Sequence, residues 1–432
     1  VNARKANNTI DKARQLQRKL YLAAKANRKR RFHAIYDKIL RRDILHKAWQ
    51  QVKQNGGVGG VDGISIEDVQ AYGEEKFLEE IEQELKEGRY RPLPVMRVYI
   101  PKKDGGKRPL GIPILKDRVV QAAAKIVIEP IFEADFKETS YGFRPKRNAH
   151  MALDKIKDLS NQGYRWILDA DIKGYFDSIN HDKLMKLVEM RISDRRILKL
   201  IRNWLKTGVM EEGDHKDSER GSPQGGVISP LLSNIYLNYL DTVWERQYSR
   251  FGTLVRYADD FVILCKQQWE AQVAKKAVEG IFQRLELTLH PGKTRIVNNW
   301  VGKPGYDFLG FHHKRVMRER KDGSIRAVSV RWASKKSMNK MREKIQNVLA
   351  AKANLQNSLD DMVRFMNPIL RGFKTYYGIG KDERWYLQQI DKYVVERFAL
   401  WSNAKRQKRY RRGGIKQMYE ILKIKGIVKL AT

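Results

Sequence analysis

Cysteine is almost missing. Cys265 is the only one in 432 residues, so neither a disulfide framework nor a Cys-rich zinc module can form; this fits a reducing cytosol. Long apolar runs are missing too. No stretch approaches the ~18 consecutive apolar residues of a membrane span, and the opening residues are basic and polar, without the apolar core of a secretory signal. We expect a cytoplasmic chain with no membrane partner. Internal repeats and low-complexity tracts are absent as well. Acids are scarce: 50 Asp and Glu stand against 86 Lys and Arg, a formal charge of +36. Such a chain repels itself unless it meets a polyanion, and nucleic acid is the default partner. The plainer alternative is a solvated basic surface or a ribosomal type of structural protein. Hydrophobic residues make up 42%, enough for real cores, and the length suits about two to four domains.

What is present is organised around Arg256-Tyr257-Ala258-Asp259-Asp260. Thr253, Leu254 and Val255 precede it, and Phe261, Val262, Ile263 and Leu264 follow. Two short runs rich in β-branched residues, joined by polar or small ones, read as a tight β-hairpin. Adjacent acids at its tip repel each other, and beside a packed sheet their pKa values rise. On an exposed turn solvent relieves that cost, and Asp is common in turns. A third acid separates the two readings. In Trp166-Ile167-Leu168-Asp169-Ala170-Asp171-Ile172, period-two alternation puts Ile167, Asp169 and Asp171 on one strand face. Laid beside the hairpin, this strand brings Asp171 to Asp259 and Asp260. Clustered hard oxygens suit Mg²⁺. Two such ions roughly 3.5–4 Å apart would clamp the attacking and leaving oxygens of a phosphoryl transfer.

The rest of the chain is read around that cluster. Residues 1–31 are rich in Lys and Arg, with Asp11 the only acid and no Gly or Pro. They should be helical, either as an arm on phosphate backbone or as a solvated helix or tail. Residues 35–52 read as one packed helix and residues 66–87 as another. The glycine run 56–63 between them lacks the Lys-Ser/Thr of a phosphate loop and reads as a flexible connector. Residues 95–100 and 109–113 flank a basic turn containing Lys102, Lys107 and Arg108. Such a tip can grip a triphosphate or a template backbone, or be an ordinary exposed turn. A helix follows, to about residue 132. The loop Ser140-Tyr141-Gly142-Phe143-Arg144-Pro145-Lys146-Arg147 interleaves aromatics with cations, which suits single-strand contact. Residues 182–212 read as helical, and the glycine-rich loop 221–226 lets backbone approach a ligand closely. Apolar helices are expected at 230–240 and 271–289. Beyond residue 333 come helices with basic faces and many aromatics, and six of the eight residues 405–412 are Lys or Arg.

Taken in order, these blocks resemble a reverse transcriptase, and more closely the reverse transcriptase/maturase proteins encoded in bacterial group II introns. The blocks are residues 100–113, 140–148, 169–180, 221–234 and 256–264, the Lys293 turn, and Phe308-Leu309-Gly310. Residues 60–63 and 371–377 are similar to the maturase branch in particular. The resemblance implies an α+β right-hand polymerase. A basic helical extension would occupy 1–40 and fingers 41–165. The palm, an antiparallel sheet with helices, would span 166–332, with a fingers insertion around 195–225. A helical thumb or maturase domain with a basic tail would fill 333–432. It implies that Asp171 and Asp259 bind two Mg²⁺ ions, with Asp260 in support and the backbone carbonyl of Ile172 completing one shell. Lys102 and Arg108 would hold the triphosphate and Gln224 the incoming dNTP. Phe176 would be the steric gate that rejects the 2′-hydroxyl of a ribonucleotide. Template or intron RNA contacts are expected from Arg144, Lys146, Arg147, Lys293, Lys405, Arg406 and Arg409. The activity implied is DNA synthesis on an RNA template, extending a DNA primer or target, together with binding of intron RNA to assist splicing. The single cysteine and the end at Thr432 lead us to expect no zinc-containing endonuclease domain. A domesticated relative serving host defence, DNA repair or spacer acquisition, or mainly a splicing cofactor, is the alternative. The oligomeric state, monomer or homodimer, stays open.

Overall fold

The computed structural model describes residues 2–101, 107–211, 214–216, 221, 225–319, 322–380, 384–406 and 414–431. Lys102, Gln224 and Arg409 lie outside the described residues, as does the side chain of Arg108. Eleven strands are described: β1 (Val95–Pro101), β2 (Lys107–Ile112), β3 (Trp166–Ala170), β4 (Val209–Glu211), β5 (Asp214–Lys216), β6 (Thr253–Tyr257), β7 (Asp260–Cys265), β8 (Arg295–Asn298), β9 (Tyr306–Phe308), β10 (Phe311–Glu319) and β11 (Ile325–Ala333). They form three sheets, ordered β2-β1-β4-β5, β6-β7-β3-β8 and β11-β10-β9. Helices make up most of the remainder, so the class is α+β. No described helix is long and apolar enough to cross a membrane. The chain divides into two compact units, one made of Val1–Ala152 and Leu168–Ile296, the other of Leu153–Ile167 and Val297–Thr432.

The first unit is built on the helix Leu115–Glu133. Its buried residues run all round it, among them Val119, Val120, Ala122, Ala123, Ile126 and Val127, the pattern of a helix enclosed by others. Helices Asn2–Ala26 and Arg42–Asn55 pack against it. The basic N-terminal segment is therefore a docked helix rather than a free arm. Ala13, Leu16, Leu20 and Ala24 form its buried stripe, and the Gln17 amide donates to the Ile126 carbonyl at 3.2 Å.

Four expectations about this unit change. Residues 35–52 are two helices, because Arg41 is extended (φ −61°, ψ 132°) with its guanidinium forked onto Asp43 at 2.8 Å. Residues 66–87 break at Gly73, whose φ of +110° suits glycine. The glycine run is a packed crossing, not a flexible connector. A Cβ on Gly60 would lie 2.7 Å from the Ile114 amide nitrogen, and Arg118 donates to the carbonyls of Pro113 and Val58. Residues 182–212 are also not helical throughout. The helix Arg195–Lys206 ends there, and β4 joins β1 in a parallel pair, Val95 facing Val209.

The second unit holds a hairpin that the sequence reading did not foresee, with β10 and β11 in register from Phe311–Ala333 to Glu319–Ile325. Its helices Lys335–Ala350, Leu359–Tyr377, Arg384–Lys405 and Gly414–Ile424 enclose a methionine-rich core of Met338, Met341, Met362 and Met366 with Ile345, Leu370 and Phe398. Two blocks distant in sequence meet here. The Leu309–Gly310 turn has φ of +47° and +79°. Tyr376 donates to the Leu309 carbonyl and Ser337 to that of Gly310, both at 2.9 Å.

One buried acid in the first unit gives a stability test. Asp117 accepts from the Tyr90 hydroxyl at 2.6 Å and the Leu93 amide at 3.0 Å. Burial nevertheless pushes its carboxyl up to about 6, against the opposing pull of those two hydrogen bonds. In the unfolded chain Asp titrates near 3.9, so between pH ~4 and ~6 the folded state holds the extra proton. Its contribution is whole below about pH 4 and is lost as pH rises through 6. Asp117→Asn should therefore gain on the wild type between pH 4.5 and pH 7 by on the order of 2 kcal/mol. Urea melts at the two pH values check this; parallel shifts of both proteins would refute it.

Candidate active site

The hairpin β6–β7 pairs Val255 with Val262, Arg256 with Phe261 and Tyr257 with Asp260. Only Ala258 and Asp259 are left in the loop, the shortest common hairpin connection. Ala258 takes φ +58°, a left-handed position usually given to glycine and strained by on the order of 1–2 kcal/mol otherwise. Something must hold it there. Beneath the turn, Arg256 is fully buried. Its Nε donates to Asp241 Oδ1 at 2.8 Å and its Nη2 to Asp241 Oδ2. Its Nη1 donates to Asn234 Oδ1 at 3.1 Å and to the Ala258 carbonyl at 2.8 Å. Asn234 and Asp241 stand seven residues apart on the helix Ser229–Val243, so they share one face. The Asn234 amide then donates to the Gly142 carbonyl at 2.9 Å. A Cβ on Gly142 would lie 2.3 Å from the Ala258 nitrogen, so only glycine lets this backbone lie against the turn.

The basic aromatic loop is thus a brace. Tyr141 N–H donates to the Arg256 carbonyl, and Arg256 N–H to that of Thr139, both at 2.8 Å. Arg144 is buried, with Nε and Nη2 on Glu133 at 3.0 and 2.7 Å and Nη1 on the Ser140 carbonyl at 2.7 Å. Its guanidinium is spent inside the protein and is not offered to a template, contrary to the sequence expectation. Arg147 donates to the Glu138 carbonyl at 2.9 Å and pairs with its carboxylate. Phe143, Pro145 and Lys146 are the exposed members of the loop.

The carboxylates gather above this support. β7 lies next to β3, and Asp171 follows β3 directly. The Asp171 carbonyl accepts from His290 N–H at 2.8 Å, and Lys173 N–H donates to Thr288 at 2.9 Å. The Ile172 carbonyl is not used in that pairing. The acids of β3 face a row of cations. Lys293 Nζ lies 2.8 Å from Asp171 Oδ2 and Arg295 Nε 3.0 Å from Asp169 Oδ2. Lys293, expected on RNA, pairs with Asp171 while its side chain stays largely exposed. Asp260 keeps an accessible edge, yet protein walls on its other sides desolvate the carboxyl. That desolvation, then the charges of Asp259, Asp171 and Asp169, push it up to about 6, with Lys293 pulling the other way. Among the described residues no three His, Cys, Asp or Glu side chains close on one point as a preformed cage. Mg²⁺ does not require one: it keeps several waters and takes one or two carboxylates plus substrate phosphates. The donor set is all hard oxygen, and its mutual repulsion is what a divalent cation relieves, so the residues fit such an ion.

The expected nucleotide contacts are only partly described. Phe176 is half-buried on the one-turn helix Tyr175–Ser178, its ring edge-on to Tyr175 at 5.3 Å. Tyr175 is anchored by its hydroxyl on the Ser233 carbonyl at 2.9 Å. Arg108 pairs through its backbone with Ile100 on the hairpin β1–β2. Gly225, just after Gln224, has φ +118°, and a Cβ there would lie 2.2 Å from the Gly111 carbonyl. In the second unit Lys405 donates to the Asn357 carbonyl at 2.5 Å, and Arg406 is exposed.

Arg256, Asp241, Asn234 and Gly142 were missed as functional residues. The available signal was a lone arginine in an apolar strand run, since a charge buried there must find a partner. Asp241→Ala strands the Arg256 charge and should cost about 3–5 kcal/mol. The paired change Arg256→Met with Asp241→Leu should recover most of that, because apolar replacement of a buried pair is often neutral. Denaturant melts read both; an Asp241→Ala protein as stable as the wild type would show that the pair is not what holds the turn.

Two family models match the chain. Residues 100–313 match the reverse transcriptase (RNA-dependent DNA polymerase) family, and residues 338–419 the group II intron, maturase-specific domain. Protein YkfC of Escherichia coli K12 is 35% identical over 355 residues, covering 73% of this chain and 91% of that protein. The group II intron-encoded protein LtrA of Lactococcus lactis subsp. cremoris is 43% identical over 211 residues, 49% of this chain and 35% of LtrA. An uncharacterized 91 kDa protein in the cob intron of Schizosaccharomyces pombe is 29% identical over 416 residues, covering 79% of this chain and 50% of that protein. The chain thus spans most of YkfC and half or less of the other two. A polymerase segment followed by a maturase segment, in a chain matched over nearly the whole of one relative, places it in the group II intron reverse transcriptase/maturase family, whose polymerases are RNA-directed and make DNA on the α+β right-hand fold.

Proposed function

We propose that Asp171, Asp259 and Asp260 hold two Mg²⁺ ions for transfer of a deoxynucleotide to a primer 3′-hydroxyl on an RNA template. The carrying observation is the grouping of acids at the head of β7, where Asp260, pushed up to about 6 first by desolvation, also feels the charges of Asp259, Asp171 and Asp169. The bound ions would supply the positive charge that acidifies the primer hydroxyl and offsets charge on the leaving pyrophosphate. The chain's own groups do the positioning. Asp259 rides on a turn locked from below by Arg256. Lys293 and Arg295 hold Asp171 and Asp169 toward the cluster. The Ile172 carbonyl would be a further oxygen ligand to one of the ions. Phe176 closes the sugar pocket, Lys102 and Arg108 take the triphosphate, and Gln224 takes the incoming nucleotide. No side chain acts as a nucleophile. In this reading residues 41–165 are the fingers, 166–332 the palm and 333–432 the thumb, behind the helical extension 1–40.

The maturase segment would bind intron RNA to assist splicing, with Lys146, Arg147, Lys405, Arg406 and Arg409 on phosphate. Relatives named as intron-encoded favour an intron role over a domesticated one. The setting is the cytoplasm of a bacterial cell, with RNA template, intron RNA, DNA primer and dNTPs as partners.

Asp259→Ala tests the proposal. Primer extension with dNTPs and Mg²⁺ on an RNA template should fall by about 10³-fold, since several kcal/mol of charge stabilisation is lost. RNA affinity should stay within about twofold. Extension near the wild-type rate would sink the assignment. RNA binding itself should be steeply salt-dependent, weakening about 10³-fold or more between 50 and 200 mM salt if six or more phosphates are neutralised. A flat titration by fluorescence anisotropy would remove the basic surface from the account.

A further inference from the structure

Gly221 is held against the residue proposed as steric gate from three directions. Its N–H donates to the Ile179 carbonyl at 2.9 Å. Its carbonyl accepts from His181 Nε2 at 2.5 Å, so that nitrogen carries a proton. Its own α-carbon, at φ +93°, lies so near Phe176 that an added Cβ would stand 2.9 Å from the Phe176 carbonyl oxygen and 3.1 Å from the Asp177 α-carbon. All three contacts go to one six-residue stretch, 176–181.

That stretch is itself immobilised. Gly174 opens the one-turn helix Tyr175–Ser178 at φ +54°, and the Ser178 hydroxyl donates back to the Gly174 carbonyl at 2.9 Å. Ile179 is fully buried. Asn180 caps the helix His181–Glu189 by accepting from Lys183 N–H at 3.0 Å, and its amide donates to Glu286 at 3.0 Å. The Phe176 ring therefore stands on a backbone that cannot yield toward residue 179. Gly221 packs against that backbone at Phe176 and Asp177, and the His181 ring holds the Gly221 carbonyl.

We propose that His181 and Gly221 form a clamp that sets the depth of the Phe176 gate, and so determines how strongly deoxynucleotides are chosen over ribonucleotides. This rests on the reading of Phe176 as the gate. His181 is a positioning residue: its N–H fixes the carbonyl of Gly221, which packs against the backbone that carries the gate. Glycine is required at 221 because any side chain would drive the two backbones apart. A gate of this kind works by van der Waals exclusion of one hydroxyl. A displacement of about 1 Å is enough to admit that hydroxyl, and misplacements of that size change rates by on the order of 10²-fold.

The test is the ratio of kcat/KM for a dNTP to that for the matching rNTP, in single-nucleotide primer extension on an RNA template. Wild type, Phe176→Ala, His181→Ala, His181→Gln and Gly221→Ala are compared. Phe176→Ala should lower the ratio by about 10²-fold. His181→Ala and Gly221→Ala should lower it by roughly tenfold or more, chiefly through faster ribonucleotide use, a gain that mere loss of folding cannot produce. His181→Gln should restore most of it, because its amide reaches the position of Nε2. If Phe176→Ala lowers the ratio and His181→Ala leaves it unchanged, the clamp is overturned while the gate stands. If Phe176→Ala leaves it unchanged, the gate reading fails and the clamp with it. Should His181→Ala fail to fold, His181→Gln is set against His181→Asn, whose amide falls short: a higher ratio for Gln supports the clamp, and equal ratios overturn it.

Discussion

A buried guanidinium under a two-residue turn is the constraint on which the active end of this protein depends. Asp259 and Asp260 repel each other, and Asp171 and Asp169 add to the strain on Asp260. Left to itself, such a cluster would relax by splaying its carboxylates into water. It is kept together because the turn has no freedom to move. Arg256 binds the Ala258 carbonyl from below, Gly142 lies against the Ala258 amide, and Asn234 ties that glycine to the same arginine. A buried ion pair is poor evidence for stability, since desolvation cancels much of its Coulomb gain. Its value here is geometric. Asp241 forks Arg256 from one side and leaves Nη1 as the group that addresses the turn.

The same logic accounts for cations that do not reach nucleic acid. A charge of +36 suggests a surface covered in phosphate-seeking side chains, yet several of the most suggestive are internal. Arg144, Arg256 and Arg118 are buried on carboxylates or carbonyls, and Lys293 and Arg295 answer the acids of β3. Guanidinium is well suited to this role, because five donors in a rigid fork can satisfy several acceptors at once. Lys146 and Arg406, by contrast, face solvent.

What was legible in the sequence follows from period and local chemistry. The alternation in 166–172 and the apolar runs around Ala258 state which strands exist and which faces carry acid. The structure lays β7 beside β3, and the charges of Asp171 and Asp169 then act on Asp260 together with that of Asp259. The α+β class came from the resemblance rather than from these rules, and the break at Gly73 was passed over. The partners of buried charges were not. Arg144 in an exposed-looking aromatic loop and Arg144 under that loop have the same neighbours in sequence, and only the position of Glu133 decides between them. The hairpin β10–β11 was hidden for a related reason. Its inner face carries His313, Arg315, Ser329 and Arg331, all buried, so the polar-out, apolar-in alternation that marks a half-buried strand is blurred.

Glycine makes the last link between these scales. Gly142, Gly221 and Gly225 each sit where a Cβ would stand 2.9 Å or less from another segment's backbone. They lie in two separate stretches of chain, and what they approach is the Ala258 turn, the helix Tyr175–Ser178 and the hairpin β1–β2 in turn. Each permits backbone to touch backbone, the one kind of contact that no rotamer change can loosen. A polymerase site must accept four different bases while holding sugar and reacting phosphate to within a fraction of an ångström. Side chains that adapt to each base are compatible with that demand only if the backbone beneath them does not adapt, and these glycines, with Arg256 and His181 beside them, are how this chain keeps the two apart.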